Sequence, residues 1–476
     1  LLTDVGRDAA VAGDVAPANA PGLGEAGDPI PPGLDSQGNR EINVFDAIAI
    51  ANFAAGVPEL VAGQTVPGRA PTSSRATLTG QILADRVLAA DTTYELDGMV
   101  IVTNGATLTI PAGTRIEGNT TTRGALSIRR GSAIVVNGTR LEPVIMTCTA
   151  AIKTPGCWGG LQINGAAPLN NGNTGGGGTI QCPELTAPGG FGIYGGCVPS
   201  SSSGGLRYLR IEHAGAPAGS TAIAGLQLLG VGTGTVLEDI QVHAAAGVGV
   251  AISGGTAQVR RLLASDVGGV GLDWNDGWLG KAQSVIVHRA LTPGIGIRGA
   301  GAPVGAAVVG QASAPILYNV SLFGPATPGA GSPALLLNLG TRGVIRNLLI
   351  HGSDGPGLEI NDTATCDAVT ASQLMLSDGI FHQNTPDFSA DADCVDEVAL
   401  AALPATRFSV TDPFVVAPQF GPSPDLRPGF GSPAGAGTLP PTDGFFDPDL
   451  IFSGAVAPAN VSFSSIPWYA GWTRGW

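Results

Sequence analysis

The fold is decided by one strand-like segment that recurs five times: Leu237-Glu-Asp-Ile-Gln-Val242, Val259-Arg-Arg-Leu-Leu263, Ala282-Gln-Ser-Val-Ile-Val287, Leu317-Tyr-Asn-Val-Ser-Leu322 and Ile345-Arg-Asn-Leu-Leu-Ile350. The first residues of these segments are 22, 23, 35 and 28 positions apart. Each segment is rich in Val, Ile and Leu, and turn-forming residues separate it from the next, as is typical of short β-strands.

A second strand-like segment repeats with nearly the same period. Its copies are Gly225-Leu-Gln-Leu-Leu229, Gly249-Val-Ala-Ile252, Gly271-Leu-Asp-Trp274, Gly294-Ile-Gly-Ile297, Ala334-Leu-Leu-Leu337 and Gly357-Leu-Glu-Ile360. The first four begin 24, 22 and 23 residues apart. Two strands that share one period define a coil, and stacked coils join their strands into parallel sheets. The longer intervals predict loops inserted at the turns.

The composition agrees with a repeated coil. Of 476 residues, 73 are Gly, 36 are Pro and 43% are apolar. So much glycine disfavours helical repeats, and the Leu and Asn spacing of a leucine-rich repeat is absent. We predict an all-β protein, a right-handed parallel β-helix, because parallel crossover connections are almost always right-handed. The β-helix is expected over residues 78–420, after a Pro/Gly-rich segment with one short helix at 1–77 and before a tail at 421–476.

The charge of the chain limits its partners. The net charge is −14 and the isoelectric point is about 4.7. An acidic surface repels a phosphate backbone, so nucleic acid is not an expected partner. No run of 18 or more apolar residues occurs, and no transmembrane helix is predicted.

The cysteines form three pairs that are close in sequence: Cys148 with Cys157, Cys182 with Cys197, and Cys366 with Cys394. No C-x-x-C motif occurs and no His lies nearby, which argues against zinc. We predict three local disulfides, which form in an oxidising compartment. Together with a terminus at Leu1 that we interpret as processed, they favour an extracellular protein.

An N-terminal segment has the oxygen spacing of a twelve-residue calcium loop: Asp35-Ser-Gln-Gly-Asn-Arg-Glu-Ile-Asn-Val-Phe-Asp46. Calcium prefers several hard oxygen ligands, and a loop that runs into a helix supplies them. The predicted helix spans 47–55. The candidate calcium ligands are Asp35, Gln37, Asn39, Glu41, Asn43 and Asp46.

This loop resembles one half of a dockerin, and it matches that family at Ile42, Asn43 and Asp46. It departs at Arg40, where a dockerin has Gly, and only one of the two dockerin repeats is present. Two alternatives stay open. Asp14 is the first ligand in one of them, and in the other the segment is an Asn/Asp-rich turn that caps the helix.

Five histidines each follow the apolar end of a predicted strand: His213, His243, His288, His351 and His382. In a β-helix they would lie along one edge, coil above coil. Such a ladder could bind a transition metal. The alternative is that each His satisfies a turn carbonyl.

The acidic residues do not form a repeated pair. A β-helix enzyme that acts on polysaccharides needs either two carboxylates about 5–10 Å apart or a calcium cluster with an Arg base. Neighbouring coils lie about 4.8 Å apart, so catalytic acids would recur at one register. The acids Glu212, Asp239, Asp266, Asp273 and Asp276 do not share a register. Asp273 and Asp276 are the closest pair, and we expect them to form a turn.

The tail is rich in aromatic residues: Phe445, Phe446, Trp468, Tyr469, Trp472 and Trp476. An open β-helix end exposes unpaired strand edges and therefore needs a cap. We interpret the tail as this cap or as an assembly surface. In the second case Trp468, Tyr469, Trp472 and Trp476 would contact another copy of the chain.

Several longer motifs point to a family: Gly156-Cys-Trp-Gly-Gly160, Leu209-Arg-Ile-Glu-His-Ala-Gly215, Gly230-Val-Gly-Thr-Gly234, Leu272-Asp-Trp-Asn-Asp-Gly-Trp278 and Ala470-Gly-Trp-Thr473. With these motifs, the chain resembles a widespread bacterial family of secreted or lipoprotein β-helix proteins of undefined function. That family commonly has acidic residues near Ala246 and Gly247 and near 268–270. Their absence here favours a scaffold role.

These features predict a non-enzymatic structural protein that is secreted or lies on a bacterial cell surface. Unlike ends can meet head to tail, and a contact that does not close yields a filament or a layer. An adhesive role, with a glycan or another surface protein as partner, is also expected. The alternative is an extracellular protein that binds or degrades polysaccharide, which rests on fold analogy and on the turn that carries Trp274 and Trp278.

The calcium loop gives the first testable prediction. We expect the chain to bind one calcium ion weakly, with a dissociation constant of about 10⁻⁴ M or above, as in extracellular calcium modules. Calorimetry should show this heat in the native chain and lose it in Asp46→Ala, because the acid at position 12 is removed. The prediction fails if the native chain gives no heat and calcium stabilises both chains equally against heat.

Overall fold

The computed structural model describes residues 74–170, 182–215, 217–218, 221–290, 294–302, 312–325, 331–389, 396–418, 424–459 and 466–474. Within these ranges, one continuous parallel sheet contains 22 strands that wind from coil to coil. The predicted all-β fold, a parallel β-helix, is therefore confirmed.

Each complete coil contributes one long bent strand and one shorter strand. The bent strands are β12 (Gly204–Glu212), β16 (Val236–His243), β18 (Gln258–Ser265), β20 (Lys281–His288), β22 (Ile316–Phe323), β24 (Gly343–His351) and β26 (Leu374–His382). The shorter strands are β6 (Ala125–Ile128), β9 (Gly160–Asn164), β15 (Leu226–Leu229), β17 (Val248–Ser253), β19 (Val270–Asn275), β21 (Ile295–Ala300), β23 (Leu335–Asn338) and β25 (Leu358–Ile360).

The first coils split the bent strand into separate pieces. They contain β1 (Ser74–Ile82), β2 (Arg86–Val87), β3 (Thr92–Val102), β4 (Thr107–Pro111), β5 (Arg115–Gly118), β7 (Ala133–Asn137) and β8 (Val144–Cys148). Both β7 and β8 pair with β12, so the two pieces fuse into one bent strand at that coil.

A few short elements lie outside the large sheet. The antiparallel pairs are β10 (Leu185–Thr186) with β11 (Ile193–Tyr194), β13 (Pro217–Ala218) with β14 (Thr221–Ala222), and β27 (Val415–Ala417) with β28 (Asp425–Pro428). The helices are α1 (Thr363–Thr370) and α2 (Glu397–Ala401), with single 3₁₀ turns at Pro188–Gly190 and Pro433–Gly435. No helix in this part of the chain is long and apolar enough to cross a membrane.

The strand register matches the first predicted repeat residue by residue. Leu237, Val259, Ala282, Leu317 and Ile345 are aligned in successive coils. The side chains at this position are buried in the interior. The unequal intervals of the sequence repeat are therefore loops between strands that keep one register.

The second predicted repeat needs one correction. Val270 pairs with Ile295 and Leu272 pairs with Ile297, so the partner of Gly271 is Gly296 and not Gly294. The error is two residues, which is the period of a strand. A shift by two leaves the same side chains facing the core, and the sequence pattern alone does not distinguish the two alignments.

Glycine lies just before, at, or one residue after the start of most of the shorter strands, because the coils approach closely there. A Cβ added to Gly249 would lie 2.7 Å from the carbonyl oxygen of Gly271, and one added to Gly271 would lie 2.7 Å from that of Gly296. Such contacts are far below van der Waals distance. The glycine column therefore permits coils to stack at sheet spacing.

The bend in the long strands uses left-handed backbone conformations. Its residues have φ values of 54–60° and are Asp239, Arg261, Ser284, Asn319, Asn347 and Asp378. Asn and Asp tolerate this conformation best among residues with a side chain, because their short polar groups bond locally. The same bend is thus repeated coil after coil, with a stack of polar side chains on the outside.

Local disulfides close two of the loops, and one of them joins its loop to strand β8. The structure contains the predicted Cys148–Cys157 and Cys182–Cys197 bonds. Cys366 is also disulfide-bonded, while Cys394, its predicted partner, lies outside the described residues. The pairing of Cys366 with Cys394 stays a prediction.

The glycine column predicts a sharp difference between two Gly→Ala substitutions. Gly271→Ala should destabilise the protein by about 1–3 kcal/mol, because the methyl group overpacks the contact with Gly296. Gly247→Ala is the control, since an added Cβ there meets nothing within 4 Å. Urea unfolding of both variants measures the difference. Equal stabilities would show that the coils do not approach as closely as described.

Candidate functional site

The part of the C-terminal tail that begins at Asp425 and ends at Tyr469 contacts the flank of the coils. Residues Asp425–Tyr469 belong to the same compact unit as the coils. At the bend column, Asn319 Nδ2 donates to the carbonyl oxygens of Leu450 and Phe452, at 3.1 and 2.8 Å. Outward side chains of the coils thus hold the backbone of the tail.

Similar attachments occur in neighbouring coils, at Gln283 one position before the bend and at Asn347 in the bend column. Gln283 Oε1 accepts a hydrogen bond from the backbone N–H of Asp447 at 2.7 Å. Asn347 Nδ2 donates to the carbonyl oxygen of Thr438 at 2.8 Å. The flank of the β-helix and the tail together enclose grooves that neither would form alone.

The residues predicted for assembly are placed as follows. Trp468 Nε1 donates to the carbonyl oxygen of Ala455 at 3.0 Å, and the buried Tyr469 hydroxyl accepts from the N–H of Leu426 at 2.9 Å. Trp472 is buried, and Trp476 lies outside the described residues. The indole N–H of Trp468 and the hydroxyl of Tyr469 thus form hydrogen bonds within the chain.

Two adjoining cavities lie between the coil flank and the tail. One has a volume of about 270 Å³ and includes Arg260, Arg261, Asp447, Leu450 and Trp468 in its lining. The other has a volume of about 350 Å³ and includes Glu238, Gln258, Arg260, Lys281 and Asp443. Arg260 lines both of them. We call the two cavities together the flank groove.

The acidic side chains on the strands are mostly bound to arginine. The pairs are Glu117 with Arg75 and Arg115, Glu212 with Arg210, Glu238 with Arg207 and Arg260, Asp239 with Arg261, Asp273 with Arg298, and Asp378 with Arg407. Several of these pairs join neighbouring coils. A carboxylate held in this way is a poor general acid or base, because the cation stabilises its ionised form.

Among the five acids compared in the sequence, Asp276 has a raised pKa. Its side chain is only 3% exposed, and burial raises its pKa to about 6. The hydroxyl of Tyr194, itself buried, donates to Asp276 Oδ2 at 3.4 Å. Tyr194 lies within the loop closed by Cys182 and Cys197. Asp276 is thus covered by a fastened loop, whereas Asp273 is ion-paired to Arg298.

Four of the five histidines share one register at the end of the bent strands. The aligned residues are His243, Ser265, His288, Phe323, His351 and His382. His213 lies one position further along, because Glu212 is the partner of His243. The predicted edge is therefore present, but Ser265 and Phe323 interrupt it.

The histidine contacts differ from coil to coil. His288 Nε2 lies 2.6 Å from the carbonyl oxygen of Pro418, and His243 Nδ1 lies 3.0 Å from Ser265 Oγ. The Nδ1 atoms of His351 and His382 are 3.4 Å apart, and burial together with the charge of His382 lowers the pKa of His351 to about 4. Among the described residues no three His, Cys, Asp or Glu side chains are grouped to hold a metal ion.

The predicted calcium ligands from Asp35 to Asp46 lie outside the described residues, so calcium binding there stays a proposal. The flank groove was not predicted from the sequence. It joins Arg260 and Lys281 to Asp443 and Phe445, residues that are more than 160 positions away. The adjacent Arg260 and Arg261, and a lysine in a chain with few of them, are the only sequence signals for it.

Comparison with known proteins identifies the family. Residues 80–409 match the family described as a pectate-lyase like beta helix domain. This match spans well over half of the 476 residues, and the chain belongs to that family. No curated protein and no solved structure matches the chain.

The buried carboxyl of Asp276 predicts a pH dependence of stability. Its pKa in the folded protein, about 6, is above the ordinary value of 3.8. The folded state therefore retains a proton that the unfolded chain releases, and stability should fall as the pH rises from about 4 to about 6. The full loss is about 3 kcal/mol at most, from a shift of about two pH units.

Asp276→Asn should remove this pH-dependent loss, which urea unfolding at pH 4, 5, 6 and 7 would measure. Asp91→Asn, at an exposed carboxylate, should retain it. If Asp276→Asn unfolds with the same pH dependence as the native chain, the carboxyl does not titrate in this range.

Proposed function

We propose that this chain is a non-enzymatic extracellular β-helix protein that serves as a structural or binding component of a bacterial cell surface. The observation that supports this proposal most directly is the neutralisation of its strand carboxylates by arginine. Hydrolysis of a glycosidic bond needs one protonated and one ionised carboxyl on either side of the substrate. Asp273 is ion-paired to Arg298, and Asp276 is buried beneath Tyr194. These two carboxyl groups therefore do not form an accessible acid–base pair.

The disulfides support the extracellular location. Bonds such as Cys148–Cys157 and Cys182–Cys197 persist in oxidising compartments and are rare in the cytosol. They join residues 9 and 15 positions apart in the chain. Cys148 and Cys157 are buried in the main core, whereas Cys182 and Cys197 close a loop between β9 and β12. Such local crosslinks suit a scaffold exposed to solvent and proteases.

The absence of catalysis is testable directly. Incubation of the chain with polygalacturonate and with neutral polysaccharides, with and without calcium, should release no unsaturated products and no reducing ends above buffer. Hydrolysis is not expected because Asp273 and Asp276 do not form an accessible acid–base pair. Elimination, which would give unsaturated products, is not expected because no three His, Cys, Asp or Glu side chains of the described residues are grouped to hold a cation beside a base. Turnover that disappears in Asp273→Asn or Asp276→Asn would contradict the proposal and would favour the polysaccharide-degrading alternative.

Self-association is a second candidate function, and one specific observation favours it. The hairpin formed by β27 and β28 exposes large apolar side chains, with Phe414 50%, Val416 56% and Phe430 87% exposed. Exposed apolar groups that cluster on one element are typical of protein–protein contacts. This hairpin is a better candidate for the contact than Trp468 and Tyr469, which bond within the chain. We propose a second copy of the chain as its partner.

Light scattering over a range of concentrations tests this proposal. The apparent molar mass of the native chain should increase with its concentration. Phe430→Ser should weaken the association at least tenfold, because a large apolar contact is lost. Ile152→Ser is the matched control, since Ile152 is 85% exposed but lies on the Cys148–Cys157 loop. A native chain that stays monomeric at high concentration would overturn the proposal.

A further inference from the structure

We propose that the flank groove is a binding site for a neutral oligosaccharide. This inference names a ligand class for the proposed function. It rests on that function in one respect, namely that the bound oligosaccharide is not cleaved. The two cavities that form the groove have volumes of about 270 and 350 Å³. The first is just below and the second just within the size range of ligand pockets. Because both are lined by Arg260, one side chain could contact sugars bound in either cavity.

The polar groups of the groove are fixed in place. The guanidinium of Arg260 lies 4.6 Å above the ring centre of Phe445, and its Nη1 donates to Glu238 at 3.3 Å. Lys281 Nζ donates to Asp443 at 2.6 Å and lies 5.9 Å from the ring centre of Phe446. Side chains held by two contacts lose little further freedom when a ligand binds, which favours affinity.

The charges of the groove favour a neutral ligand. Arg260 and Lys281 are each bound to a carboxylate, and Arg261 makes a two-fold contact to Asp239 at 2.6 and 2.7 Å. Glu238 is shared with Arg207, and the exposed carboxylate of Asp447 in the lining offsets that additional cation. The groove and the groups bound to it therefore carry no net positive charge that would attract a uronate, a sulfate or a phosphate; the charged residues are Arg207, Arg260, Arg261, Arg427 and Lys281 against Glu238, Asp239, Asp425, Asp443 and Asp447. In a chain with a net charge of −14, an anionic polymer would also be repelled at long range.

The same paired groups suit sugar hydroxyls. A hydroxyl both donates and accepts, and ion pairs of guanidinium and carboxylate present N–H donors beside oxygen acceptors. Arg261 uses Nε and Nη2 for Asp239, and its side chain is 35% exposed. Because Arg261 also lines the groove and its third guanidinium nitrogen is not used by Asp239, Arg261 is a candidate donor to a ligand.

The groove is also amphipathic, as a sugar ring is. Thr233 and Gln258 line the polar cavity, whereas Leu450, Ile466 and Trp468 line the other. Pyranose rings carry hydroxyls at the rim and C–H groups on their faces. A site with a polar end and an aromatic, apolar end binds both, and such mixed linings are typical of ligand pockets.

Affinity gel electrophoresis tests the site with defined probes. The full chain is run in gels that contain hydroxyethyl cellulose, dextran or galactomannan, and in gels that contain polygalacturonate or alginate. At least one neutral polymer should retard the native chain. Gln258→Ala and Arg260→Gln should weaken this retardation about tenfold or more.

Arg207→Gln is the matched control. Arg207 occupies the position of Arg260 two coils earlier and binds the same Glu238, at 2.7 Å, but it does not line the groove. Its substitution should leave the retardation unchanged. Because Arg260 also supports Phe445, thermal unfolding of Arg260→Gln is measured, and Gln258→Ala decides the result if that variant is unstable.

Three results would overturn the site: no retardation by any neutral polymer, retardation by the acidic polymers only, or an equal loss in Arg207→Gln. Release of reducing ends from the retarding polymer would instead contradict the non-enzymatic proposal while leaving the binding site in place. The two proposals can therefore fail independently.

Discussion

The stacking of successive coils is the constraint on which the rest of the structure depends. Each strand must hydrogen-bond to strands about 4.8 Å away on both sides, so every position in a coil must fit the same position in its neighbours. Where two backbones approach most closely, as at Gly249 and Gly271, no Cβ can be accommodated. Where the strand bends, each coil repeats a left-handed residue, and Asn319 and Asn347 tolerate that conformation better than most residues with a side chain.

The same constraint organises the outside of the molecule. Residues 22 or 25 positions apart become neighbours, and opposite charges there form ion pairs such as Asp239 with Arg261 and Asp273 with Arg298. Polar side chains at the bend form a column to which the tail attaches through its backbone. The flank of a β-helix is thus a regular array of side chains. Its chemistry depends on which residue types occupy each column of aligned positions.

This array accounts for the functional proposals. Membership in the pectate-lyase-like family gives the fold, and the chemistry on the coil walls comes from this chain's own residues. Arginine beside each of several strand carboxylates stabilises their ionised forms and supplies a dense set of donors and acceptors. A surface of that kind suits recognition of a ligand or of another protein, and the tail adds the aromatic and apolar side of the flank groove.

The sequence by itself determined the period of the coil, the inward face of each strand and two of the local disulfides, because each depends on residues close together in the chain. The strand starting at Gly294 was misplaced by two residues, since a strand pattern of period two is unchanged by that shift. Only the tertiary structure brought Arg260 to Phe445, covered Asp276 with Tyr194 and laid the tail along the coils. Those contacts join residues about 80 to 185 positions apart, and no local periodicity or spacing specifies which distant segments will meet.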